Sequence, residues 1–148
     1  MRKRIVAALM LAYLVFVADL TLLQFQGDPG VNLVPFRQIG DDIREGGRNF
    51  VVNFLGNIGV FMPLGLALPL IRTRPTRARD VAVIAFILSL SIELAQYALG
   101  RRVADVDDVI MNTSGAVLGF AVGWFFRRRS RSSRVDARRP TGGASSAP

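Results

Sequence analysis

The chain contains no cysteine and no histidine. Their absence excludes disulfides, thiolate nucleophiles, the usual zinc sites and imidazole-based acid–base catalysis, whichever compartment the loops face. The chemistry that remains belongs to carboxylate, amide, hydroxyl and guanidinium groups. What the chain has in abundance is apolar surface. Of its 148 residues 51% are hydrophobic and 20% charged, and because the apolar residues come in long runs the composition is that of a single-domain membrane protein.

Four runs come close to the ~20 residues that, at about 1.5 Å per residue, cross roughly 30 Å of hydrocarbon. They are Ile5 to Leu23, Phe50 to Ile71, Val81 to Leu99 and Val109 to Phe126. The expected fold is therefore all-α, an integral membrane bundle of four transmembrane helices over residues 1–126. Residues 127–148, rich in Arg, Ser, Gly and Pro without periodicity, are expected to be a disordered basic cytoplasmic tail. The first run follows Met-Arg-Lys-Arg, as a signal peptide would. It is longer than the ~7 to 15 apolar residues of a signal peptide, and Thr21-Leu-Leu-Gln-Phe-Gln offers no small-x-small cleavage site, so it reads as a retained anchor.

Arginine placement gives the orientation. Arg2, Lys3 and Arg4, then Arg72, Arg74, Arg77 and Arg79, then Arg127, Arg128, Arg129, Arg131, Arg134, Arg138 and Arg139 fall on one side of a four-span path, which puts both termini in the cytoplasm. The net charge of +8 is then a topological signal and calls for no nucleic acid. The partner implied is the lipid bilayer.

Polar residues collect at the opposite, outer ends of the spans. Asn53 and Asn57 are one turn apart on one face of the second; Glu93 and Gln96 share a face of the third, with Arg102 as the nearest counter-charge; a helix already formed at Asp105 would align Asp105, Asp108 and Asn112, with Asp107 turned away. A carboxylate at Glu93's depth costs roughly 2.5 to 3.5 kcal/mol on insertion scales and must be paired, protonated or wet. Asp19, a turn from the end of the first span, can snorkel to water. Pro63 is expected to kink the second span, free the carbonyl of Gly59 and open room in the bundle. Gly115, Gly119 and Gly123 make a smooth helix face for close packing within the bundle or in a homodimer. Together these residues predict a polar pocket opening to the outer leaflet. The plainer accounts are amide glue between helices for the asparagines, a Glu93–Arg102 brace at a turn, and helix capping for two of the aspartates.

The same residues resemble the VanZ-like membrane proteins. The resemblance is carried by Asn32-Leu-Val-Pro35-Phe36, by Asn53-x-x-x-Asn57-x-x-x-Phe61-x-Pro63-Leu-Gly65, by Glu93-x-x-Gln96 and by Arg102-x-x-Asp105-x-x-Asp108-x-x-x-Asn112-x-x-Gly115, and runs from about Asn32 to Phe126. Ala104 and Ser114 depart from the usual pattern, which has an aromatic at the first position and a larger apolar residue at the second. The resemblance implies residence in the bacterial cytoplasmic (inner) membrane, and the family's namesake is associated with resistance to the glycopeptide teicoplanin.

Three functions fit these residues. The first is binding of an envelope lipid or lipid-linked component, with Asn32, Asn53, Asn57, Gln96, Arg102, Asp105 and Asn112 as ligand-binding residues. The second is a membrane enzyme in which Glu93 and Asp108 act as acid and base on a lipid-linked substrate, or in which Glu93, Asp105 and Asp108 hold Mg²⁺ or Ca²⁺ through oxygen. The third is a small transporter or membrane assembly partner. No cofactor is identifiable.

Overall fold

Hydrocarbon offers backbone amides no partner, so runs this apolar satisfy their own hydrogen bonds as helices. The computed structural model describes residues 2–19, 30–100 and 103–136. In chain order these form α1 (Arg2–Asp19), β1 (Gly30–Asn32), α2 (Arg37–Arg44), α3 (Arg48–Ile71), α4 (Ala78–Ala98), β2 (Val103–Asp105) and α5 (Val106–Asp136). Among the described residues three segments are long and apolar enough to cross a membrane: Asn53–Ile71, Ala78–Ala98 and Val106–Arg129. α1 is not among them, because its 18 residues include Arg2, Lys3, Arg4 and Asp19. The expected first span, Ile5 to Leu23, ends outside the described residues.

The distribution of polarity is inverted relative to a water-soluble bundle. Leu9, Phe16, Leu55, Ile87, Leu94 and Leu118 are exposed on the outside, while Ser89, Glu93, Gln96, Asp107, Asp108 and Asn112 are buried. Such an exterior suits lipid, where an exposed leucine costs nothing, and such an interior suits groups that need one another.

The packing order follows from glycine. Gly65 of α3 lies against the backbone of Ala116 and Phe120, and Gly115 and Gly119 of α5 lie against the carbonyls of Ile58 and Met62. Because 58, 62 and 65 meet rising positions on α5, the two helices run parallel, with α5 at the centre of the bundle. The glycine face that could have served a homodimer is taken by α3 of the same chain. α4 packs on the other side of α5 and runs antiparallel to it: Ser89 meets Asn112, and Glu93 meets Asp105 at the start of α5. α1 packs mainly on α3. It is antiparallel too, since Tyr13 donates its hydroxyl to the Val60 carbonyl at 2.7 Å while Met10 and Val6 lie beside Pro63 and Ala67. A small apolar core of Phe61, Leu64, Val81, Ala85 and Ala116 joins α3, α4 and α5.

Two sequence expectations change here. The fold is not wholly α, because β1 and β2 pair in a parallel two-stranded sheet in the register Gly30↔Val103, Val31↔Ala104, Asn32↔Asp105. Each strand is part of a loop whose amides need partners, and the two loops supply them to each other. α5 continues beyond Phe126 to Asp136, where a disordered tail was expected from 127. Arginine is a good helix former and no Gly or Pro interrupts this stretch, while Arg128 and Arg129 lie over the rings of Trp124 and Phe125 at 5.2 and 4.8 Å. Residues 137–148 lie outside the described part. α3 continues as a helix on both sides of Pro63 and Pro69.

A Cβ at Gly119 would overlap the Met62 carbonyl, whereas one at Gly56 meets nothing within 4 Å. Gly119→Val is therefore expected to cost more than the ~1–3 kcal/mol of ordinary overpacking and to abolish the monodisperse peak in detergent size-exclusion chromatography. Gly56→Ala should leave it unchanged, and equal behaviour of the two variants would contradict the α3–α5 contact.

Candidate functional site

The α5 N-terminus is built from its acids. Asp105 is the residue before the helix, and its Oδ1 accepts the Asp107 amide at 2.8 Å, a side-chain N-cap. Asp107 and Asp108 follow in the first turn, where the helix dipole favours negative charge. The plainer account of the aspartates thus holds for Asp105, which lies on β2 and not on the helix stripe expected of it. Its other oxygen, Oδ2, accepts from Asn32 Nδ2 at 3.0 Å, and its backbone amide donates to Glu93 Oε2 at 2.9 Å. Asn32 is equally engaged, its Oδ1 taking the Val34 amide at 3.2 Å. Asn32 and Asp105 therefore hold the two loops and the end of α4 together.

Asp107 differs most from the sequence expectation. It is fully buried, and Oδ1 accepts the Phe36 amide at 2.6 Å. Phe36 has φ 64°, a left-handed backbone uncommon for a bulky residue. The carboxylate thus holds in place a strained turn whose side chains Leu33, Val34 and Phe36 are exposed. The spacing rule turned Asp107 away from the stripe, and the side chain meets this loop. An acid in a helix's first turn, opposite a long loop with amides to satisfy, was the available signal.

Behind this strap, Asn57, Glu93, Gln96, Asp108 and Asn112 line one cavity of about 50 Å³, closed on its apolar side by Val17, Val60, Phe61 and Ile92. Asn57 Nδ2 donates to Asp108 Oδ1 at 2.6 Å, a short bond across α3 and α5. Asn112 Nδ2 donates to Ser89 Oγ at 2.9 Å, across α5 and α4. Asn112 is 6% exposed, and its Oδ1 has no hydrogen-bond partner among the described residues. The space has room for one or two waters, or the end of a polar group.

Five of the expected site residues therefore converge: Asn57, Glu93, Gln96, Asp108 and Asn112. Asn32 and Asp105 flank them. Asn53 does not reach the cavity and donates instead to Asp42 Oδ2 of α2 at 3.0 Å, fixing α2 to α3. Arg102 lies outside the described residues. Among the described residues no three carboxylates are grouped so as to hold a metal ion, so the Mg²⁺ or Ca²⁺ arrangement of Glu93, Asp105 and Asp108 is not formed.

A helical membrane protein with a buried polar centre near one end of its bundle is the class these features define. Within that class the chain belongs to the VanZ/LLP1 family, whose model matches residues 5–127. The match extends the resemblance carried by the motifs, which begins near Asn32, to include α1. No curated protein and no solved structure matches the chain.

Removing the acceptor for the Phe36 amide leaves a strained turn without its anchor, at a cost of about 1–3 kcal/mol. Asp107→Ala is expected to make the segment between Asn32 and Arg48 cleavable by protease added to purified protein, while Asp107→Asn, which keeps a carbonyl oxygen, remains largely protected. An alanine variant as resistant as the wild type would contradict the strap.

Proposed function

We propose that this VanZ/LLP1 protein is a four-span protein of the bacterial cytoplasmic membrane, both termini inside, that takes the polar end of an envelope lipid or lipid-linked component into the cavity beneath the strap. Through that binding it affects envelope properties, susceptibility to the glycopeptide teicoplanin among them. The observation that carries the reading is the convergence of five amide and carboxyl side chains from α3, α4 and α5 on one cavity near the end of the bundle that bears the aspartates. Amide glue alone would pair these groups and leave no space between them.

The orientation is supported by charge. The directions of the four long helices gather the segments containing Arg2, Lys3 and Arg4, Arg72 to Arg79, and Arg127 to Arg129 at the end opposite the strap, the arrangement expected of a cytoplasmic face. At that end Asp80 pairs with Arg72 and Arg79 at 3.9 and 3.8 Å, exposed contacts worth at most about 1 kcal/mol.

A catalytic reading rests on the presence of Glu93 and Asp108 in the same cavity. One experiment serves both. Protein purified in mild detergent from the native membrane and released in a mass spectrometer should carry a lipid adduct that is lost or weakened at least about tenfold in Asn112→Ala and Arg102→Ala. Glu93→Gln carrying an adduct of a different mass from the wild type's would favour turnover. No adduct, or the same adduct in every variant, would overturn binding at this cavity.

A further inference from the structure

The apolar wall of the polar cavity has a second space on it. Val17, Val60, Phe61 and Ile92 also line a second space of about 60 Å³, bounded further along by Tyr13, Leu64 and Leu88. Tyr13 in turn borders a third, wider groove of about 320 Å³ between α1 and α3, lined by Val6, Leu9, Met10, Pro63, Ala67 and Leu70. The three spaces succeed one another along α3 from Asn57 to Leu70, roughly 20 Å at 1.5 Å per residue. The first is polar; the other two are lined almost wholly by apolar side chains.

We infer that the seam between α1 and α3 is the binding track for the hydrocarbon chain of a single-chain amphiphile whose polar end occupies the cavity of Asn57, Glu93, Asp108 and Asn112. This rests on the proposed function above and adds to it the chain's path and the ligand class. The succession of the spaces carries the inference: a lone polar cavity would suit water, and a lone groove would suit any neighbouring lipid, but a cavity with polar side chains that shares its apolar wall with a second space, itself next to an apolar groove, matches a molecule with one polar end and one chain. The narrow middle section, at about 60 Å³, excludes two chains side by side. At roughly 20 Å the track is longer than half of a ~30 Å hydrocarbon layer, so it suits a chain longer than one leaflet is deep. Pro63 and Ala67 line the α3 side of the groove, and the Tyr13–Val60 hydrogen bond ties the two helices where the second and third spaces meet. Asn112 Oδ1, buried and without a partner among the described residues, gives the polar end a hydrogen-bond acceptor, so the end fitted here is a donor such as a hydroxyl or an ammonium.

The test uses the whole chain in nanodiscs and two alkyne-tagged probes carrying a diazirine in the chain, a long-chain polyprenol and a diacyl phosphatidylethanolamine. After irradiation the expected result is polyprenol labelling on peptides containing Met10, Tyr13 and Leu64, reduced at least about fivefold by excess unlabelled polyprenol and by Ala67→Phe, which fills the groove, with little labelling there by the two-chain probe. Labelling equal at the lipid-facing Phe86 and Ile87, or equal for both probes, means ordinary lipid contact and overturns the track. Competable labelling that is lost in Ala67→Phe but unaffected in Asn112→Ala would keep the chain track and remove the polar cavity from it, overturning the amphiphile. Loss of the co-purified lipid in Asn112→Ala with no labelling of the seam would leave the proposed function standing and overturn this inference.

Discussion

The close approach of α3 and α5 governs the rest of the molecule. Gly65, Gly115 and Gly119 bring the two backbones into contact, and only at that separation can a side chain as short as Asn57 reach Asp108. The hydrophobic effect does little to join helices in lipid, so packing of this kind and interhelical hydrogen bonds must supply the association. Each then depends on the other: the glycines set the distance, and the amide–carboxyl pair makes that distance favourable. Placing α5 between α3 and α4 also lets Asn112 meet Ser89, so one helix carries polar contacts to both neighbours.

From that arrangement a division of labour follows among the acids. Asp105 caps α5 and holds Asn32; Asp107 holds the Phe36 turn; Asp108 and Glu93 face the cavity. Four carboxyl groups that look equivalent in sequence thus do three different things. Two of them build a strap over the end of the bundle, and that strap presents Leu33, Val34 and Phe36 outward.

Much of this was legible in the chain. The apolar runs located α3, α4 and the start of α5 to within about three residues, and the i to i+3 and i+4 spacings brought Asn57, Glu93, Gln96, Asp108 and Asn112 to one place because each lies on a regular helix, where spacing maps to direction. The spacing rule was less informative where the chain is not helical. Asp105 is in an extended segment, so its assignment to the helix stripe failed, and β1–β2 pairing joins residues 73 apart in the register, which no local pattern reveals. Asn53 illustrates a different loss: it is on the expected face, but α2, a short polar helix with no long apolar run to announce it, intercepts its amide through Asp42. The helical course of α5 past Phe126 reflects arginine's helix propensity, which composition alone had set aside.

A polar centre reached from outside the cell differs from a sealed brace in its access to water. The chain's lack of cysteine allows this to be read directly, from single substitutions Leu33→Cys and Asn112→Cys exposed in intact cells to a small membrane-impermeant thiol reagent. An open centre predicts fast labelling at position 33 and slower, measurable labelling at position 112, accelerated when Asp107→Ala loosens the strap. Labelling at 33 with none at 112, strap loosened or not, would contradict it and leave the polar residues as packing; labelling at 33 only after permeabilisation would invert the topology.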